Sequence, residues 1–129
     1  MSSDAAAVVD AFISKVVCGD SAGACELVTN DIEYDNVPVG RNIGPEALTT
    51  FLTAMFSKFD EVEFITHRQV SSATTVFNER TDRFRIGDRW FGLPVAGVFE
   101  VTAEGRISLW RDYFDKATFQ NELTKITTL

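Results

Sequence analysis

The sequence predicts an α+β domain in which helices pack on a bent antiparallel sheet and leave an apolar pocket on its inner side. Three observations carry that prediction. Apolar residues early in the chain repeat at three- and four-residue spacing, the period of a helix. From Glu61 to Phe114 the pattern changes to alternation, in four strand-length runs separated by short turns, and such turns join antiparallel neighbours. On two of those strands, polar and charged residues occupy the face that flanking apolar residues mark as the core side.

The elements follow in order. Ser2 or Ser3 can cap a helix running to about Val17, because Val8, Val9, Phe12, Ile13, Val16 and Val17 form its stripe, and Gly19 stops it. Ser21 can cap a shorter helix to Leu27 with Ala22, Cys25 and Val28 inward, which makes a helical hairpin. Asp31–Val37 alternates as a strand, with Ile32, Tyr34 and Asn36 on one face and Glu33 and Asp35 on the other. Pro38 ends it, and the stretch to Gly44 reads as a loop. Pro45 suits the first turn of a helix whose stripe is Ala47, Leu48, Phe51, Leu52, Met55, Phe56 and Phe59. The sheet comes next: Glu61–Ser71, Thr74–Ile86, Trp90–Ala103 and Arg106–Phe114. Pro94 and Gly97 are expected to bend or bulge the third of these runs. Asp115 can cap a last helix carrying Phe119, Leu123 and Ile126.

Composition narrows the possible partners. The 129 residues suffice for one domain over 1–129 that buries a core without disulfides or metal. Eleven Phe can fill that core or line a pocket. A net charge of −7 weighs against a phosphate-binding surface, so the expectation is a small neutral molecule or a protein as partner and no nucleic acid. Cys18 and Cys25 match no zinc or redox spacing and read as buried thiols of a reducing cytoplasm. The start M-S-S-D-A-A-A-V-V-D lacks a basic n-region, and no apolar run reaches membrane-spanning length, so a cytoplasmic location without a membrane partner is expected.

The inward polar residues carry the chemistry. Alternation places Val76, Asn78, Arg80, Asp82, Phe84 and Ile86 on one face, and Phe77, Glu79, Thr81, Arg83 and Arg85 on the other. In the last strand Asp112 stands between Trp110 and Phe114. Charge on a core face costs several kcal/mol unless it is paired and hydrogen-bonded, so Arg80, Asp82 and Asp112 are expected to meet. Two unit charges about 4 Å apart repel by roughly 4 kcal/mol at an effective dielectric of 20, or about three pKa units. One acid of such a pair therefore stays protonated while the other ionises beside the guanidinium, giving a proton donor and a proton acceptor near neutrality. Tyr34 and Asn36 can hold a water beside the base, which describes hydrolysis by direct addition. His67, the only histidine, alternates with Glu63, Ile65 and Gln69 on an outer side, and one histidine with scattered acids assembles no metal site.

Taken together, N-E-R-T-D at Asn78–Asp82, W-R-D-Y-F-D at Trp110–Asp115 and Y-D-N at Tyr34–Asn36 closely resemble limonene-1,2-epoxide hydrolases, within the nuclear transport factor 2-like (SnoaL-like) superfamily. The resemblance runs from about Ile32 to Phe119. It implies a cone-shaped, strongly curved mixed or antiparallel sheet, packed with N-terminal, central and C-terminal helices around a deep apolar pocket. It also implies Asp112 as the base, helped by Tyr34 and Asn36, Asp82 as the acid that protonates the epoxide oxygen, and Arg80 as the bridge. Water would attack carbon directly, with no covalent enzyme ester and no metal or organic cofactor. Met55, Phe59, Phe84, Leu93 and Phe114 are the expected pocket walls for an apolar terpene-, lipid- or sterol-like epoxide. Members of the family are commonly homodimers, and outward Phe77 and Tyr113 suit contact between sheets.

Other readings use the same residues. A buried ion network that only fixes strand register would produce Arg80, Asp82 and Asp112 without Tyr34 and Asn36 beside them. A ketosteroid-isomerase-like or polyketide-cyclase-like enzyme needs an unpaired base facing oxyanion donors, which an arginine between two acids supplies poorly. A non-catalytic carrier of small lipids has no use for an acid, a base and a water-holding pair in one place.

Overall fold

The computed structural model describes residues 4–128. Its elements are α1 (Ala5–Val17), α2 (Ser21–Cys25), β1 (Val28–Asn36), β2 (Gly40–Ile43), α3 (Pro45–Phe56), β3 (Glu61–Ser72), β4 (Thr75–Ile86), β5 (Arg89–Val101), β6 (Ile107–Tyr113) and α4 (Lys116–Thr127). The fold is α+β, with a six-stranded sheet in the order β2-β1-β6-β5-β4-β3. The sheet is mixed, because β1 runs parallel to β6 while every other pair is antiparallel.

Asp4 caps α1, accepting from the Ala6 N–H; the expected caps Ser2 and Ser3 lie outside the described residues. Val9, Phe12, Ile13 and Val16 are buried at helix spacing, and Gly19 leaves the helix at φ 82°, in the left-handed region. Asp20, rather than Ser21, caps α2 through a 2.9 Å bond from the Gly23 N–H. That helix ends at Cys25, buries Ala24 and leaves Ala22 exposed, so Val28 belongs to β1. Cys18 is exposed, contrary to its reading as a buried thiol, because it is the C-cap where α1 opens into solvent.

Two further expectations need correction. The stretch read as a loop after Pro38 contains β2, whose Gly40–Ile43 pairs with β1 as a short hairpin. Pro94 and Gly97 produce no bulge: the β4–β5 ladder runs unbroken from Thr75↔Glu100 to Ile86↔Arg89. Pairing of β5 with β6 begins only at Ala96↔Tyr113, so Pro94 lies where that side of β5 has no ladder to interrupt.

The irregularity that matters is in β3. Thr66 faces Arg80 and Arg68 faces Glu79, so His67 is an extra residue. A one-residue slip switches faces, and Gln69, assigned by simple alternation to the outer side with His67, pairs with Asn78 on the inner face. His67 itself is exposed and bonds Thr81 Oγ1 at 2.8 Å.

The helices divide the inner face of the sheet. At one end α1 packs against Val76, Phe99, Val101, Ile107 and Trp110. At the other, Met55 of α3 and Phe119, Leu123 and the buried Ile126 of α4 pack on Phe84, Phe91, Leu93 and Val95, while Leu48 of α3 is buried in the first cluster. Asp115 caps α4 by accepting from the Thr118 N–H at 3.2 Å. Among the described residues no helix is long and apolar enough to cross a membrane.

Candidate active site

One transverse row of the sheet organises the site. Strand registers place Asn36 opposite Asp112, Asp112 opposite Gly97, Gly97 opposite Asn78 and Asn78 opposite Gln69, across β1, β6, β5, β4 and β3. Arg80 and Asp82 follow Asn78 on the same face of β4. All five polar groups are deeply buried: Asn36 5%, Asn78 4%, Arg80 1%, Asp82 4% and Asp112 4% exposed. A charge cluster this dry survives only with its hydrogen bonds complete.

They are complete at the guanidinium. Arg80 donates from Nε to Asp82 Oδ1 and from Nη2 to Asp82 Oδ2, both at 2.9 Å. It donates from Nη1 to Asp112 Oδ1 at 3.2 Å and from Nη2 to Asp112 Oδ2 at 2.8 Å. Nη1 also donates to Asn78 Oδ1 at 3.1 Å. Arginine has five N–H donors in a planar fork, so each has an acceptor. The Phe64 ring lies 5.0 Å from the guanidinium carbon and closes one side.

Reaching Asp112 from β4 means crossing β5, and Gly97 makes the crossing possible. A Cβ there would stand 2.6 Å from Arg80 Nη1, 2.7 Å from Asp112 Oδ1 and 3.0 Å from Asn78 Oδ1. The glycine expected to bend β5 is therefore the gap through which the ion bridge passes.

Trp110, read from the sequence as an apolar bracket, also donates from Nε1 to Asp112 Oδ1 at 2.8 Å. The Tyr34 ring stacks on it, with centroids 4.3 Å apart. Asp112 thus accepts hydrogen bonds from two sides, from the Arg80 guanidinium and from the Trp110 indole.

Burial pushes the Asp82 carboxyl up to about 6; the Arg80 charge and its hydrogen bonds pull the other way, and Asp112 adds to the rise. Burial, then the Asp112 charge, raises Tyr34, which keeps its phenolic proton. Arg80 is also raised: burial works against its charge, but Asp112 and Asp82 outweigh it. The cluster thus provides a carboxyl that holds its proton toward neutrality beside a permanent cation.

Tyr34, Asn36, Asp82 and Asp112 line the polar part of a cavity of about 420 Å³. Of the expected apolar walls, Met55, Phe84, Leu93 and Phe114 face that space. Phe59 does not line it but packs behind, 4.8 Å from the Phe84 ring and 6.2 Å from Phe91. It follows the end of α3, so the helical stripe that suggested it no longer applies. Phe119 and Leu123 of α4 complete the wall, and Lys58 and Lys116 also line the cavity. Among the described residues no group of three or more His, Cys, Asp or Glu could hold a metal ion.

Comparison with known proteins gives concordant results. Residues 3–125 match the limonene-1,2-epoxide hydrolase catalytic domain. The epoxide hydrolase EphG of Mycobacterium tuberculosis is 36% identical over 107 residues, covering 83% of this chain and 70% of that protein. A solved structure of an M. tuberculosis epoxide hydrolase of this type superposes with a TM-score of 0.83 at 32% identity, over 98% of this chain and 93% of the other. A candidate SnoaL-like polyketide cyclase from Shewanella denitrificans superposes with a TM-score of 0.81 at 14% identity, over 94% and 97% of the two chains, a likeness of fold alone.

Proposed function

Because this chain belongs to the limonene-1,2-epoxide hydrolase family and is an epoxide hydrolase of that type, we propose that it adds water to an apolar terpene-, lipid- or sterol-like epoxide in one step, giving a vicinal diol. The observation that carries this reading is the bridge itself: one guanidinium bonded to two carboxylates that both open onto an apolar cavity. In the proposed reaction Asp112 takes a proton from a water held by Tyr34 and Asn36. The water oxygen bonds to one epoxide carbon, the carbon–oxygen bond of the strained ring breaks, and Asp82 gives its proton to the departing oxygen. Asp112 then carries the proton that Asp82 lost, and its return resets the site. Arg80 fixes the spacing of the two acids and remains charged throughout. These steps use only groups of the chain and the ring strain of the substrate.

The same reading extends to shape and assembly. A cone-like curvature of the sheet would gather α3 and α4 over one end of its inner face, and a homodimer would cover Phe77 and Tyr113, which are 55% and 50% exposed. Sedimentation of the purified protein tests the dimer.

Single turnover in oxygen-18 water tests the mechanism. Direct attack puts label into the diol in the first turnover. Label entering only on later turnovers would mean that a carboxylate oxygen attacks first and an enzyme ester forms, which excludes the one-step scheme.

A further inference from the structure

We propose that Gln69 and Asn78 are positioning residues of this site, holding the fifth N–H of Arg80 so that the guanidinium keeps Asp82 and Asp112 at their working separation; this rests on the hydrolase reading above. Arg80 Nη1 donates to Asn78 Oδ1 at 3.1 Å, Asn78 Nδ2 donates to Gln69 Oε1 at 3.0 Å, and Gln69 Nε2 donates to Asp10 Oδ1 on α1 at 3.0 Å. A guanidinium can only donate and a carboxylate can only accept, so two amides in series between them have one consistent orientation. The chain is therefore directional, and each amide oxygen points toward Arg80.

Its placement follows from the backbone. The extra residue at His67 turns Gln69 onto the inner face, in the same transverse row as Asn78 and Asp112. Without that slip Asn78 would meet an outward neighbour, and its Nδ2 would have no acceptor from β3. Asn78 is confined as well, since its Oδ1 lies 3.0 Å from where a Cβ on Gly97 would stand. Neither Gln69 nor Asn78 lines the cavity, so both act on the reaction through Arg80.

The test separates positioning from simple support of the fold. Gln69→Leu removes the acceptor for Asn78 Nδ2 and should lower kcat about tenfold with KM unchanged, because the guanidinium then holds the two acids less firmly in place. Gln69→Glu, always made together with Asp10→Asn so that the new carboxylate meets an amide N–H rather than a second carboxylate, keeps an acceptor at the same place and should restore kcat to within about twofold of wild type. Asn78→Asp puts a further negative charge beside the guanidinium and should move the alkaline limb of the kcat–pH profile upward by about one unit. A Gln69→Leu enzyme with full kcat, or a Gln69→Glu enzyme as slow as Gln69→Leu, overturns the proposal; Gln69→Met serves if the leucine variant does not fold. Hydrogen exchange at the Arg80 guanidinium gives a readout independent of turnover. It should quicken in Gln69→Leu and stay slow in Gln69→Glu, whereas equal rates count against positioning even if no epoxide is turned over.

Discussion

The two ends of the inner sheet face are built from similar apolar residues and serve opposite purposes. Beneath α1, Val9 and Phe12 are fully buried against Val76, Phe99 and Ile107, and none of these five lines the cavity of the other end. Beneath α3 and α4 the rings of Phe84 and Phe91 are buried too, but Met55, Phe114 and Phe119 remain half-exposed around an open cavity. An apolar stripe thus does not distinguish a plug from a pocket wall. The border between the ends does, because the row from Asn36 to Gln69 and the adjoining Arg80–Asp82 pair place charge where the end beneath α1 would have excluded it. Burying those charges is tolerated because every donor of the guanidinium is taken.

The contrast is tested most severely by one change at each end. Asp112→Asn removes the proposed base and should lower kcat by about a thousandfold, within the range for general bases. Phe12→Ala empties a site of 0% exposure and should cost about 3–5 kcal/mol of stability, while the folded fraction keeps its kcat. Denaturant melts and turnover on the same samples separate the two. Wild-type turnover in Asp112→Asn would remove the functional distinction between the ends.

A sharper version lies within β5. Gly97→Ala would set a methyl 2.6 Å from Arg80 Nη1 and 2.7 Å from Asp112 Oδ1, displacing both. A misplacement of roughly an ångström at reacting groups can cost about a hundredfold, and that loss in kcat is expected. Gly92→Ala is the control, since its methyl would meet Thr81 Cγ2 at 2.9 Å, away from the cavity residues. Its kcat should stay near wild type.

Titration gives the next contrast. If Asp82 is the acid, kcat should fall as pH rises through about 6 and approach a tenfold loss per unit beyond it. Its folded value lies above the ordinary 3.8, so between 3.8 and about 6 the native state holds a proton that the unfolded chain has released. The Asp82 contribution to stability is therefore fully present below pH 3.8 and is lost as pH rises through about 6. Asp82→Asn should flatten that decline in thermal melts across the window. An unchanged slope in the variant would mean that another group governs it.

Much of this was legible because β4 alternates without interruption from Val76 to Ile86, so its charged residues stand out against their own apolar neighbours. Gln69 was not, because alternation carried through the extra residue at His67 assigns it to the wrong face. The parallel pairing of β1 with β6 joins distant parts of the chain and leaves no turn signal to read. Trp110 shows a different gap: its ring announces burial, whereas the partner of its N–H depends on how the side chain is rotated.

The smallest expected effect lies at the open end. Apart from Asp82 and Asp112, the charged residues lining the cavity are Lys58 and Lys116, in a chain of net charge −7. Lys15 and Lys125 are ion-paired with Asp20 and Glu122, whereas among the described residues Lys58 and Lys116 have no such partner. An epoxide on an apolar chain ending in a carboxylate could keep its ring at the acids and its charge toward these ammonium groups. Exposed ion pairs contribute about 0.2–1 kcal/mol each and are screened by salt, so kcat/KM for the acid should exceed that for its methyl ester by about threefold at low ionic strength. The ratio should shrink toward one in high salt and in the Lys58→Gln/Lys116→Gln double variant. A ratio unmoved by either would show that the lysines contribute only their alkyl stems to the wall, and that this end discriminates by shape alone.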